Sequence, residues 1–258
     1  MPNPSDGRDH AAADRQRYGR SFGAVADTYA QARPGYPTAA LDWALPAHAR
    51  RVLDLGAGTG KLTAGLVGRG LEVLAVEPDA HMLGHLRAAL PSVDARVGPA
   101  EQIPLPDGHV DAVLVAQAWH WFDPERALAE VCRVLAPGGT LALLWNLRDE
   151  TLPWHRRLTE VTDSFDTVAA LGGAPGPALP GEPARADFRW ADVLSPESLR
   201  DRISTHSAIV VLAPIARETV LSNVEVLARE EAARTGSATV RVDYVTRCLR
   251  VALAPAGA

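Results

Sequence analysis

Between residues 51 and 145 the chain alternates short, almost wholly apolar runs with segments of helical periodicity. The runs are RVLDL (51–55), EVLAV (72–76), DARV (94–97), DAVLVA (111–116) and TLALLW (140–145). Runs of this length and low polarity predict parallel strands covered on both faces and joined by crossover helices. Between them, Asp79 is placed to cap a helix whose Met82, Leu83, Leu86 and Leu90 form one stripe. Asp123-Pro124-Glu125 opens a second helix with Leu128, Val131 and Leu135 inward. The PGG at 137–139 reads as a turn before the last of these strands.

The flanks carry weaker patterns. Ser21 is a candidate cap for a short helix in which Phe22, Val25, Ala26 and Tyr29 share a face, and Pro34 ends it by forcing Arg33 out of the helical region. Residues 1–20 are expected to be disordered. Beyond the core, 154–170 reads as helix, 172–184 as a loop rich in Gly and Pro, and DFRWADV (187–193) as a short strand. Further helices are expected from Pro196 and over 215–233. In the final run, Val240, Val242, Tyr244 and Thr246 alternate with polar partners, which predicts an antiparallel edge strand able to pair with a second copy. The expectation is an α/β protein with a doubly wound, seven-stranded, mostly parallel sheet, an antiparallel last strand, helices on both faces and a helical lid. One domain is expected over 1–258, with cap helices at 21–50, a ligand-binding core at 51–150, and a lid plus the last two strands at 151–258.

Composition narrows the partners. The 258 residues carry 26 basic and 31 acidic side chains, a net charge of -5, so no overall field draws the chain to nucleic acid. No signal peptide core and no apolar run of membrane-spanning length is visible, which predicts a soluble cytoplasmic protein with no membrane partner. Cys132 and Cys248 form no C-x-x-C pair and are expected to be buried free thiols. His81 and His85 stand one helical turn apart, but Met82 replaces the glutamate of a zinc protease, so no metal is expected. Lys61 is the sole lysine.

That lysine belongs to DLGAGTGKLT (54–63), which resembles a phosphate-binding loop. A Walker-type loop needs glycine where Leu55 stands and a hydroxyl where Leu62 stands, so that reading is excluded. The dinucleotide fingerprint accepts Gly56 and Gly58 but needs its third glycine where Lys61 stands. What remains is a strand ending in Asp-Leu-Gly-Ala-Gly-Thr-Gly. Further along are Glu77 at the end of the second strand, VGPAEQIPLPDGHVDAVLVAQAWHWF (97–122) and ALAEVCRVLAPGGTLAL (127–143).

These four stretches, in this order, resemble the class I S-adenosylmethionine-dependent methyltransferases, closely over about a hundred residues. The resemblance implies that Asp54, Gly56, Ala57, Gly58 and Thr59 hold the methionyl and ribose parts of S-adenosylmethionine, with Lys61 facing solvent. Glu77, with Pro78 beside it, would accept both ribose hydroxyls. Pro99 stands where many relatives carry an acid or polar residue, so the Ala100 backbone or Glu101 would meet the adenine amino group. In relatives with a similar Y…RPxYP stretch, the tyrosine and arginine approach the methionine carboxylate, which points to Tyr29 and Arg33.

In open parallel sheets ligands sit beyond the carboxyl ends of the strands, so Gln117, Ala118, Trp119 and His120 should border the transferred methyl. His120 is the candidate base for a phenol or enol, and would orient a carboxylate, which needs no base. Trp119 is its candidate companion, with packing as the alternative for both. The expected reaction is O- or C-methylation of a small organic acceptor, an acidic metabolite or natural product, with S-adenosylhomocysteine as product. A cofactor-binding protein without catalysis, serving regulation, is the competing reading. The sequence leaves monomer and homodimer open.

Overall fold

The computed structural model describes residues 26–162, 179 and 182–253. The expected disorder of 1–20, the Ser21 cap with Phe22 and Val25, and most of the loop at 172–184 lie outside these residues.

Five parallel strands form where the apolar runs placed them: β1 (Arg51–Leu55), β2 (Glu72–Glu77), β3 (Asp94–Val97), β4 (Val110–Ala116) and β5 (Leu135–Arg148). β6 (Ala184–Leu194) and β7 (Val240–Ala252) complete a seven-stranded sheet of order β3-β2-β1-β4-β5-β7-β6. β7 alone runs against its neighbours. It is not the edge strand: β7 lies between β5 and β6, and β6 is the edge. The alternation in β7 therefore reports one covered face and one open one, not a missing neighbour. Nor does PGG precede β5. The strand starts at Leu135, paired with Val110, and residues 136–139 bulge out before pairing resumes at Thr140 with Ala112, with Gly138 at φ 77°.

Alternate residues of each strand feed opposite layers. Val52, Val73, Ala112, Leu114, Ala142 and Leu144 pack under α2 (Thr38–Ala44) and α3 (Lys61–Val67). Leu83 and Leu86 of α4 (Ala80–Ala89) join Ala75 and Ala95 nearby. Leu53, Leu55, Leu74, Val113 and Leu143 instead face α5 (Pro124–Val134) and the loop carrying Ile103 and Leu105. Both predicted caps form: Asp79 accepts from the N–H groups of His81 and Met82, and Asp123 from those of Glu125 and Arg126.

A third core is made by the chain after β5. Trp154 and Leu158 of α6 (Pro153–Val161) meet Leu199 and Ile203 of α7 (Pro196–Ser204) and Ile209 of α8 (Ser207–Val210). Leu221, Val224 and Leu227 of α9 (Pro214–Thr235) and the leading half of β7, Val240 to Tyr244, close it. This helical layer stands over the carboxyl ends of β4 and β5. α1 (Ala26–Ala32) ends just before Pro34 and packs against α7 and α4. No helix among the described residues is long and apolar enough to cross a membrane.

Candidate active site

The chain runs outward from β1 to β2 and β3, then returns to place β4 on the other side of β1. The loops leaving β1 and β4 diverge there, opening a crevice at the carboxyl end of the sheet. A cavity of about 200 Å³ occupies it, roofed by α1, α7 and α8.

The floor on the β1–β2 side is backbone. After Leu55 the chain turns with Gly56 at φ 74° and Gly58 at φ 56°, a region costly for residues with a Cβ. A Cβ at Gly56 would stand 2.6 Å from Ala118 Cβ. Its N–H donates to Val76 O at 2.8 Å, stitching the loop to β2. Glu77, only 7% exposed, holds the loop from the other side. Its Oε2 accepts from Gly58 N at 2.9 Å and its Oε1 from Asp79 N at 3.0 Å. Burial raises the Glu77 pKa, and these two donors oppose that rise. Each oxygen keeps lone pairs for further donors on the cavity side.

Beneath the loop, Asp54 is fully buried and receives Thr63 Oγ1–H at 2.6 Å, while its other oxygen has no partner among the described residues. Burial pushes its pKa up to about 7; the Thr63 bond works against burial and the Glu77 charge adds to it. Ala57, Asp54 and Thr59 are buried behind the cavity wall rather than on it. Lys61 is not turned wholly to solvent. It is half-buried and lines the cavity, with its pKa lowered by burial and then by the Arg202 charge.

The other wall comes from β4, β5 and the helical layer. At the end of β4, Gln117 has φ 57°, the one left-handed non-glycine among the described residues. Its N–H donates to Leu144 O and its Nε2 to Asn146 O, which hold the turn in place. Ala118 and His120 follow it into the cavity wall. His120 packs at a tilt against Trp121 with ring centroids 4.5 Å apart, and its Nδ1 is buried without a partner among the described residues. Burial lowers its pKa to about 4, so it is a neutral imidazole at neutral pH. Trp119 turns the other way: 5% exposed, it packs edge-on against Phe122 in the core, and Trp121 takes the cavity position instead.

The loop at 98–103 stays clear of the cavity wall. Ala100 is buried in the core, and Glu101 is engaged by Asp123 N at 2.7 Å, fastening this loop to the start of α5. Tyr29 and Arg33 of the N-terminal arm do reach the cavity. Arg33 lies over the Tyr29 ring at 5.2 Å and donates from Nε to Thr205 Oγ1 at 2.8 Å.

Several cavity residues have no local motif. Arg148 stands at the end of β5, and Arg202, on α7, donates to Ala32 O, Tyr244 Oη and Asp192. His206 sits among them. Chemically, the two walls differ: a backbone-and-carboxylate floor suited to hydroxyl donors, and a side-chain wall rich in cations and rings. Glu77 is the one carboxylate among the described residues lining the cavity. No cluster of three or more His, Cys, Asp or Glu side chains among the described residues is placed to hold a metal ion.

The floor fits a nucleoside with an amino-acid tail. Gly56 and Gly58 line the cavity without side chains, so a flat ligand can approach the backbone, and Glu77 presents a desolvated acceptor where a ribose would lie. Known proteins point the same way. Residues 53–143 match the family model of the methyltransferase domain. The chain is 48% identical over 235 residues to an uncharacterized methyltransferase of Mycobacterium tuberculosis, covering 91% of this chain and 96% of that one. It is 37% identical over 182 residues to the malonyl-[acyl-carrier protein] O-methyltransferase of Methylococcus capsulatus, 66% of each chain. A solved structure from Anaeromyxobacter dehalogenans shares the fold with a TM-score of 0.62 at 26% identity, over 86% of this chain and 99% of that one. The chain belongs to the class I S-adenosylmethionine-dependent methyltransferases.

Proposed function

We propose that the enzyme transfers a methyl group from S-adenosylmethionine to oxygen or carbon of a small organic acceptor, an acidic metabolite or natural-product intermediate, in the cytoplasm. The observation that carries this reading is the Glu77-anchored glycine loop opening onto the crevice at the strand ends. In it, Glu77 receives the ribose hydroxyls, Gly56 and Gly58 admit the ligand to the backbone, and Pro78 lies against the sugar. Tyr29 and Arg33 hold the amino-acid tail. Asp54 acts from beneath by holding the turn through Thr63, and the tail's positive charge would favour its ionised form. When bound, S-adenosylmethionine supplies a methyl group on a positive sulfur, open to in-line displacement.

The chain's own part in that displacement is positioning and exclusion of water. Ala118, Gln117 and His120 border the reacting centre, and the helical layer covers it. With a pKa near 4, His120 is a poor match for taking a proton from a phenol. As a neutral ring in the cavity wall it is suited instead to orienting an acceptor by contact. The relative from Methylococcus capsulatus, an O-methyltransferase by name, is in keeping with an oxygen acceptor. Incubating the purified protein with S-adenosylmethionine and a pool of small organic acids and phenols tests the reading. Release of S-adenosylhomocysteine dependent on an acceptor supports it; cofactor binding with no release from any acceptor supports a non-catalytic binding protein instead.

A further inference from the structure

Beyond the reaction class, the cavity constrains the acceptor's charge. Arg148 lies at the carboxyl end of β5, paired in register with Tyr244 of β7. β4 separates it from β1, and it lies four residues beyond Leu144, the β5 residue level with Gly56, so its backbone stands about 10 Å across the sheet and about 13 Å further along it from the glycine loop. Its Nη2 donates to Thr159 Oγ1 at 3.2 Å, a neutral partner. Its Nε and Nη1 are buried and have no acceptor among the described residues. A buried guanidinium with two idle donors is costly, and such groups are ordinarily paired.

The surroundings do not relieve it. Arg33 also rests on neutral oxygens, those of Thr205, and Lys61 enters the same cavity; Arg202 alone has a carboxylate, Asp192. His206 is kept neutral first by burial and then by the charges of Arg33, Arg148 and Arg202, which shows how closely these cations converge. Against them the described cavity wall offers Glu77. S-Adenosylmethionine does not redress the balance, because its sulfonium and ammonium outweigh its carboxylate by one positive charge. A second, anionic ligand is what the site lacks. Trp121, Phe122, Ile203 and Ile209 supply apolar walls for its body.

We propose that the acceptor is an organic carboxylate whose charge is drawn to the Arg148 guanidinium on this cation-rich wall, with its apolar body against Trp121, Ile203 and Ile209. The proposal rests on the methyltransferase reading and specifies its substrate class. The test offers the protein a panel of aromatic and aliphatic carboxylic acids, each beside its amide and primary alcohol. Release of S-adenosylhomocysteine and the thermal shift of the S-adenosylhomocysteine-loaded protein are both followed. At least one acid should be turned over and should raise the melting temperature, while its neutral counterparts do neither. Arg148→Gln should raise KM for that acid about tenfold or more, with the KM for S-adenosylmethionine changed less than about twofold, since a hydrogen bond to a charged group of 1.5–3 kcal/mol corresponds to at least that factor. Arg148→Lys, which keeps the charge, should recover part of the loss. Equal use of neutral counterparts, or an unchanged KM in Arg148→Gln, overturns the proposal. A protein that binds S-adenosylmethionine yet ignores every acid overturns it too, whereas one that fails to bind the cofactor overturns the reading beneath it.

Discussion

The two walls of the cavity are built by different means. On the β1–β2 side the ligand would meet the backbone of two glycines, one carboxylate and Lys61, all within residues 56–82. On the β4–β5 side it meets Arg148, His120, Trp121 and Arg202, assembled from segments far apart in sequence. The bonds that close this side span great distances along the chain: Arg33 to Thr205 across 172 residues and Arg202 to Ala32 across 170. One wall is a local device set by a strand–turn–helix. The other depends on the whole fold being in place, so the chain can keep its cofactor while its acceptor wall changes.

If that division holds, damage to the first wall should strike cofactor binding and leave the second in place. The largest effect is expected from Glu77→Ala, which removes two buried hydrogen bonds from the loop and the acceptor for the ribose. The dissociation constant for S-adenosylmethionine should rise roughly a hundred- to ten-thousandfold, measured by calorimetry, at 1.5–3 kcal/mol for each of the two ribose bonds to a charged group. Next comes Gly56→Ala. The new Cβ meets Ala118 Cβ at 2.6 Å with φ at 74°, so overpacking and left-handed strain together should cost about 3 kcal/mol in urea unfolding. An unchanged midpoint would show that the β4 turn yields easily and that the walls are less rigid than described.

The smallest expected effect sharpens the electrostatic side of the contrast. Asp54 has a folded pKa of about 7, against about 3.9 for a free carboxyl. Its proton is therefore held more tightly in the folded state, and the free energy of unfolding falls as pH rises through that window. Asp54→Asn keeps an acceptor for Thr63 and removes the charge. Without ligand, the variant's stability relative to the native protein should improve by about 2 kcal/mol between pH 5 and pH 8. A difference independent of pH would mean that Asp54 is ionised in the native state without penalty.

The same contrast governs what was legible in the sequence. The five core strands, both aspartate caps and the glycine turn are written in short windows, where apolar run length and capping chemistry suffice. Glu77 was legible because it closes such a window. Lys61 was misplaced because helix position alone does not show that it shares a cavity with Tyr29 of α1 and Arg202 of α7. Trp119 and Trp121 could not be told apart from their order, since a single 3₁₀ turn at Trp119–Trp121 decides which ring faces the core. The last strand illustrates a similar limit: period-2 alternation reveals that one face is covered, but not that β6 pairs outside β7. Arg148 and Arg202 look like surface charges in the sequence and gain meaning only from what the fold brings around them.

The most direct test is a crystal structure of the protein with S-adenosylhomocysteine. The account predicts the ribose hydroxyls within hydrogen-bond distance of Glu77, the amino-acid tail toward Tyr29 and Arg33, and Arg148 still facing open volume. A ribose elsewhere, or the cofactor carboxylate seated on Arg148, would contradict it.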